Sequence, residues 1–147
     1  MFRLNTFGGC FLERDGRRLE GLSAQRKGLG LLARLASAGD AGLSRDAVAA
    51  CLWPESDESR AAASLKQQVH SLRQQLGSSD VLLGPSTLRL NPALITSDIA
   101  EFQAAVQRSD AETVVALYTG AFLDGFFIRG ADPFERWAAT ERAIVAS

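Results

Sequence analysis

The stretch "ESRAAASLKQQVHSLRQQLG", residues 58–77, decides how this chain is read. At about 100° per residue, Leu65, Val69, Leu72 and Leu76 fall on one line, with Ala62 at its edge. Gln67 and Gln74 lie on the opposite side, flanked by Arg60, Ala63, His70 and Ser71. Gly77 supplies a C-terminal stop. The spacing therefore predicts a helix with one face for a core and the other for something polar.

Working outward, Ser44 is placed as the N-cap of a shorter helix whose face is Val48, Ala49, Cys51 and Leu52, and Pro54 after Trp53 ends it. Before it, from Ala24 to Ser37, Leu29, Leu32, Ala33, Leu35 and Ala36 recur at helical spacing. Gly39 sits where that helix would stop, and Gly28 and Gly30 weaken it. The start of the chain alternates around turns at Gly8-Gly9 and Asp15-Gly16, which predicts a small antiparallel sheet over residues 2–20. After the long helix, Val81-Leu82-Leu83 and Thr87-Leu88-Arg89-Leu90 flank Gly84-Pro85-Ser86 as a second hairpin. Three helices followed by a hairpin is the order of a winged helix.

Asn91-Pro92 opens a connector, and three helix starts follow. Asp98 with Glu101, Ser109 with Glu112, and Asp132-Pro133 with Glu135 mark helices near 98–108, 110–119 and 133–146. Their apolar faces run through Phe102, Val106, Val114, Leu117, Tyr118 and Trp137. The segment 121–128, with Phe122, Leu123, Phe126, Phe127 and Ile128, is too apolar for a free linker and must pack. Trp53 and Trp137 are expected as core anchors.

The chain has 147 residues, 46% of them hydrophobic, enough for one domain or two small ones with a real core. No stretch approaches the roughly 20 apolar residues of a membrane span, and the start turns polar too quickly to read as a signal peptide, so a cytoplasmic protein is expected. Cys10 and Cys51 lack the spacing of a zinc site or redox pair and read as packed thiols. The net charge of −1 conceals an asymmetry: 12 Lys/Arg against 9 Asp/Glu up to residue 92, but 4 against 8 from residue 93 onward. The two parts are expected to face different partners. Neither GxGxxG nor GxxxxGK[ST] occurs, so the glycine pairs are not phosphate loops.

At "LWPESDESRAAASLKQQVHSLRQQLG" (52–77) and "LYTGAFLDGFFIRGADPFERWAATERA" (117–143) the chain resembles the SARP-type bacterial transcriptional regulators. Leu52-Trp53-Pro54, Leu72-Arg73, Phe122-Leu123-Asp124-Gly125 and Glu135-Arg136-Trp137 carry the resemblance. It implies an α+β protein: an OmpR/PhoB-type winged helix-turn-helix at 1–92, then the N-terminal part of an all-α, TPR-like bacterial transcriptional activator domain (BTAD) at 93–147. In that arrangement 44–52 is the positioning helix, 58–76 the recognition helix and 81–90 the wing. Two departures stand out. Gln74-Gln75 occupy turns where such relatives carry more arginine, and the helical domain would continue past the helix begun at Pro133, so its apolar side chains around Phe126, Phe127, Trp137 and Ile144 are expected to leave an unpaired patch.

A helix of this diameter fits the DNA major groove, where Gln pairs with adenine, Arg with guanine and Ser with several base edges. Arg60, Ser64, Gln67, His70, Ser71 and Gln74 are the candidate base-facing residues. Ser44, Arg45, Lys66, Arg73 and Arg89 are candidates for the phosphate backbone, as are Arg26 and Lys27. No nucleophile-and-carboxylate pattern accompanies His70, so no enzyme, cofactor or metal is expected. The expected partner is double-stranded DNA, with RNA polymerase and self-association through the C-terminal helices as further candidates. The polar face by itself fits a solvated helix equally well, which leaves an alternative: a protein-interaction module whose winged helix is a docking surface.

Overall fold

The structure, a computed structural model, describes residues 1–22 and 25–147. Strand β1 (Phe2–Asn5) pairs antiparallel with β2 (Phe11–Arg14), and β2 with β3 (Arg17–Arg18). Phe2, Leu4 and Leu12 turn inward. Between β2 and β3, Asp15 and Gly16 both take positive φ, 50° and 83°, the conformation whose twist suits a two-residue hairpin.

Helix α1 (Arg26–Ala38) follows, ending at Gly39. The sequence begins this helix at Ala24, which lies outside the described residues. Strand β4 (Leu43–Ser44) leads directly into α2 (Arg45–Leu52), and the Ser44 hydroxyl caps it by accepting from Ala47 N at 3.1 Å. Helix α3 (Glu58–Leu76) is followed by β5 (Leu82–Leu83) and β6 (Thr87–Leu90), and β6 lies between β4 and β5 in a three-stranded sheet. Three helices and a two-stranded wing thus appear in the order the sequence implies.

The first sheet differs from expectation. It is mixed, not purely antiparallel, because β7 (Ile95–Ser97) lies parallel to β1, giving the order β3-β2-β1-β7. Phe2 stands opposite Ile95 and Leu4 opposite Ser97, so the chain after residue 92 completes the N-terminal sheet. Three residues are too few to show an alternating pattern.

Helices α4 (Asp98–Gln107), α5 (Ala111–Leu117) and α6 (Asp132–Ala146) stand close to the expected positions, but their starts are built differently. Ser97, not Asp98, caps α4, its hydroxyl accepting from Ala100 N at 3.1 Å. Asp110, not Ser109, caps α5, accepting from Thr113 N at 3.2 Å, while Ser109 takes φ 59° just before it. At α6, Asp132 is already helical behind an uncapped Ala131, and Glu135 reaches out to accept from Ile128 N at 3.2 Å. With six helices and two small sheets among the described residues, the architecture is α+β.

One hydrophobic cluster runs from Phe2 on β1 to Ala138 on α6. Phe122, Leu123, Phe126 and Ile128 are buried in it, as the apolar segment requires, with the Phe122 ring edge-on to Trp137 at 5.7 Å. Phe127 instead points outward, 61% exposed. Both tryptophans pack at the margin of the core, half-buried, each under a cation: Lys27 over Trp53 and Arg34 over Trp137. Gly30 marks a close approach of α1 to the C-terminal part. A Cβ there would collide with the Ile128 side chain and lie 3.1 Å from the Phe134 ring, so the residue that weakens the helix admits its neighbour.

Candidate nucleic-acid interface

Helix α3 is held at both ends by its own sequence. The Asp57 carboxylate accepts from Arg60 N at 2.8 Å, and Gly77 takes the left-handed conformation, its N–H bonding to the carbonyls of Arg73 and Gln74. Ala61, Leu65, Val69, Leu72 and Leu76 are buried, which fixes the rotation of the helix about its axis. Ala62, placed at the edge of that seam by the sequence, is exposed, and Ala61 takes its place.

That rotation presents the expected polar face. Arg60, Gln67, His70 and Gln74 are all exposed, and Ser64 and Ser71 are half-buried along one flank. Lys66 is exposed on the other flank.

The remaining backbone candidates cluster at the wing, with structural duties that the sequence does not show. Arg73 Nη2 donates to Leu82 O at 2.7 Å, fastening the last turns of α3 to β5. Arg45 Nη2 donates to Gly84 O at 3.3 Å, and Arg45 N to Ser86 O at 2.9 Å, fastening the start of α2 to the wing turn. Each guanidinium is half-buried, and the Nε of both has no hydrogen-bond partner among the described residues. A guanidinium bonded to a neutral carbonyl keeps its full charge, so both sites remain cationic. Arg89 is half-buried on β6, and Ser44 is exposed with its hydroxyl engaged in capping.

The flank carrying Ser64, Gln67 and Ser71 opens into a groove of about 780 Å³. Its other walls include Arg26 and Lys27 of α1 and Arg129, which follows Ile128. The sequence marks Arg26 and Lys27, but nothing local in it brings Arg129 to α3. A second, more apolar groove of about 770 Å³ lies at the C-terminal helices, where Val106, Val115 and Ile144 are 52%, 74% and 60% exposed. Val106 and Tyr118, assigned to buried faces by the sequence, border this open groove instead.

Neither thiol is set up as a nucleophile. Burial pushes Cys10 up to about 12, with the Asp98 charge adding to the shift and Arg26 opposing it, and burial also raises Cys51. Among the described residues no group of three His, Cys, Asp or Glu side chains is placed to hold a metal ion, and no helix is long and apolar enough to cross a membrane.

The solved structure of Mycobacterium tuberculosis EmbR in complex with a low-affinity phosphopeptide is similar to this chain, with a TM-score of 0.68 and 22% identity. The match covers 99% of this chain and 43% of that one. At this identity the likeness is one of fold, extending through both the winged helix and the helices after it. The chain spans less than half the length of that neighbour. No protein-family model matches the chain, and no curated protein does.

Proposed function

We propose that the chain is a cytoplasmic, sequence-specific DNA-binding regulator of transcription, of the SARP type that the sequence resembles. Residues 1–92 are the DNA-binding domain and 93–147 the beginning of a TPR-like activator domain. Helix α3 enters the major groove, with Arg60, Ser64, Gln67, His70, Ser71 and Gln74 toward the bases. Ser44, Arg45, Lys66, Arg73 and Arg89 hold the phosphates.

The observation that carries this reading is the exposed row Arg60, Gln67, His70 and Gln74, set opposite a buried seam on a helix fastened to a wing. These are residue types that pair with base edges, on a rigid element that has no need of them for its own packing. RNA polymerase is the further partner of an activator, and the exposed Val106, Val115 and Ile144 are the surface for self-association.

Titration with mixed genomic DNA at two salt concentrations tests the reading. Binding that weakens steeply with salt supports it. No binding at the lower salt concentration rejects it and favours a winged helix serving as a docking surface for another protein.

A further inference from the structure

The cations beside α3 do not all belong to the winged helix. We propose that Arg129, together with Arg26 and Lys27, forms a cradle for the phosphates of one strand of the duplex whose base edges α3 faces. The DNA-contacting surface would then include a residue from the C-terminal part of the chain. This inference rests on the DNA reading above and adds to it a site outside the winged helix.

Charge is the first support. The groove brings Arg26, Lys27 and Arg129 together, and among its described lining residues there is no carboxylate. This is a local concentration of positive charge in a chain whose net charge is −1. After residue 92 the balance is acidic, and two of the four cations there are engaged. Arg108 pairs with Asp110 at 3.0 Å, and Arg142 donates to the carbonyls of Phe122 and Leu123. Arg129 is exposed and lines the groove.

The second support is preorganisation. Lys27 Nζ lies 5.1 Å from the centre of the Trp53 ring, and the Arg26 guanidinium 5.5 Å from that of Phe126. Arg26 Nη1 also donates to Phe127 O at 3.2 Å. Aromatic faces and carbonyls hold a cation in place without neutralising it, as a carboxylate would, so an arriving anion meets groups already ordered and still charged.

Continuity is the third. Ser64, Gln67 and Ser71 belong both to the polar face of α3 and to the wall of this groove. A helix seated in the major groove has a phosphate backbone on each side. Lys66 and the wing arginines serve one strand, and the groove cations are on the side of the other.

Arg129→Ala in the whole chain tests the cradle, with Arg17→Ala as a control that removes the same charge from the exposed strand β3. Fluorescence anisotropy on two unrelated labelled duplexes over a salt series is the readout, with circular dichroism checking that each variant is folded. Arg129→Ala is expected to weaken both duplexes alike, several-fold, and to lower the salt slope by about one unit, while Arg17→Ala leaves both unchanged. An unaltered slope, or a loss matched by Arg17→Ala, overturns the cradle but leaves α3 as the DNA-reading element. A wild-type chain that binds neither duplex at low salt overturns both.

Discussion

The Asp98 carboxylate, at the first turn of α4, is buried against Thr6, the residue that follows β1. It accepts from Thr6 N at 2.8 and 2.9 Å and from Thr6 Oγ1 at 2.6 Å, and it takes Phe7 N as well at 3.0 Å. The backbone donors leaving the first strand are thereby satisfied by a residue more than ninety positions away. Asp98→Ala should cost roughly 3 kcal/mol or more, because it leaves several buried donors without partners. Asp98→Asn keeps the shape but one acceptor oxygen fewer, and should cost less. Urea denaturation followed by circular dichroism measures both, and a loss below about 1 kcal/mol for Asp98→Ala would show that this contact does not join the two parts.

Leu72 is fully buried, between α3 and the rest of the core. Leu72→Ala should destabilise the protein by roughly 2–5 kcal/mol, removing both transfer energy and contacts around the cavity it leaves. Gln74→Ala, on the exposed face two residues away, should change stability by less than about 0.5 kcal/mol. Equal losses for the two would mean that α3 is rotated from the position described.

Cys10 gives stability a sign with pH. Its thiol is raised from an ordinary 9.0 to about 12 in the fold, so at pH values between these the native state keeps a proton that the unfolded chain releases. The contribution is fully present below 9 and is lost as pH rises toward 12. Compared with Cys10→Ala, the wild-type protein should therefore lose stability on going from pH 8 to pH 10, at a slope of at most about 1.4 kcal/mol per unit. Parallel pH profiles for the two proteins would contradict the burial assigned to this sulfur.

The exposed apolar groove at α4, α5 and α6 should make the chain associate with itself. Sedimentation velocity over a concentration series is expected to show a weight-average mass that rises, and Val115→Asp should hold the chain at its monomer mass. A constant monomer mass for the wild type would remove self-association from the function proposed.

Local signals were legible in the sequence wherever one periodicity or one turn sufficed. Leu65, Val69, Leu72 and Leu76 announce both the existence of α3 and its rotation, and Asp15-Gly16 announces its turn. The caps were harder, since Ser97-Asp98 and Ser109-Asp110 each offer two adjacent capping residues. In the first pair Asp98 is needed under β1, which leaves Ser97 to cap, and in the second Asp110 caps while Ser109 takes positive φ. The pairing of β7 with β1, the attachment of Arg73 to β5 and the approach of Arg129 to α3 were not legible, because each depends on chain segments meeting in space. The candidate site divides the same way: its face follows from helical period, and its cationic borders depend on tertiary packing.

Fluorescence anisotropy of Gln67→Ala and Lys66→Ala against a selected operator and a scrambled duplex, over a salt series, tests DNA reading by α3 most directly. Gln67→Ala should weaken the operator by about 1–3 kcal/mol and leave the scrambled duplex nearly unchanged. Lys66→Ala should weaken both alike and lower the salt slope by about one unit. Equal losses on the two duplexes for Gln67→Ala, or no binding of the wild-type chain to either at low salt, would contradict it.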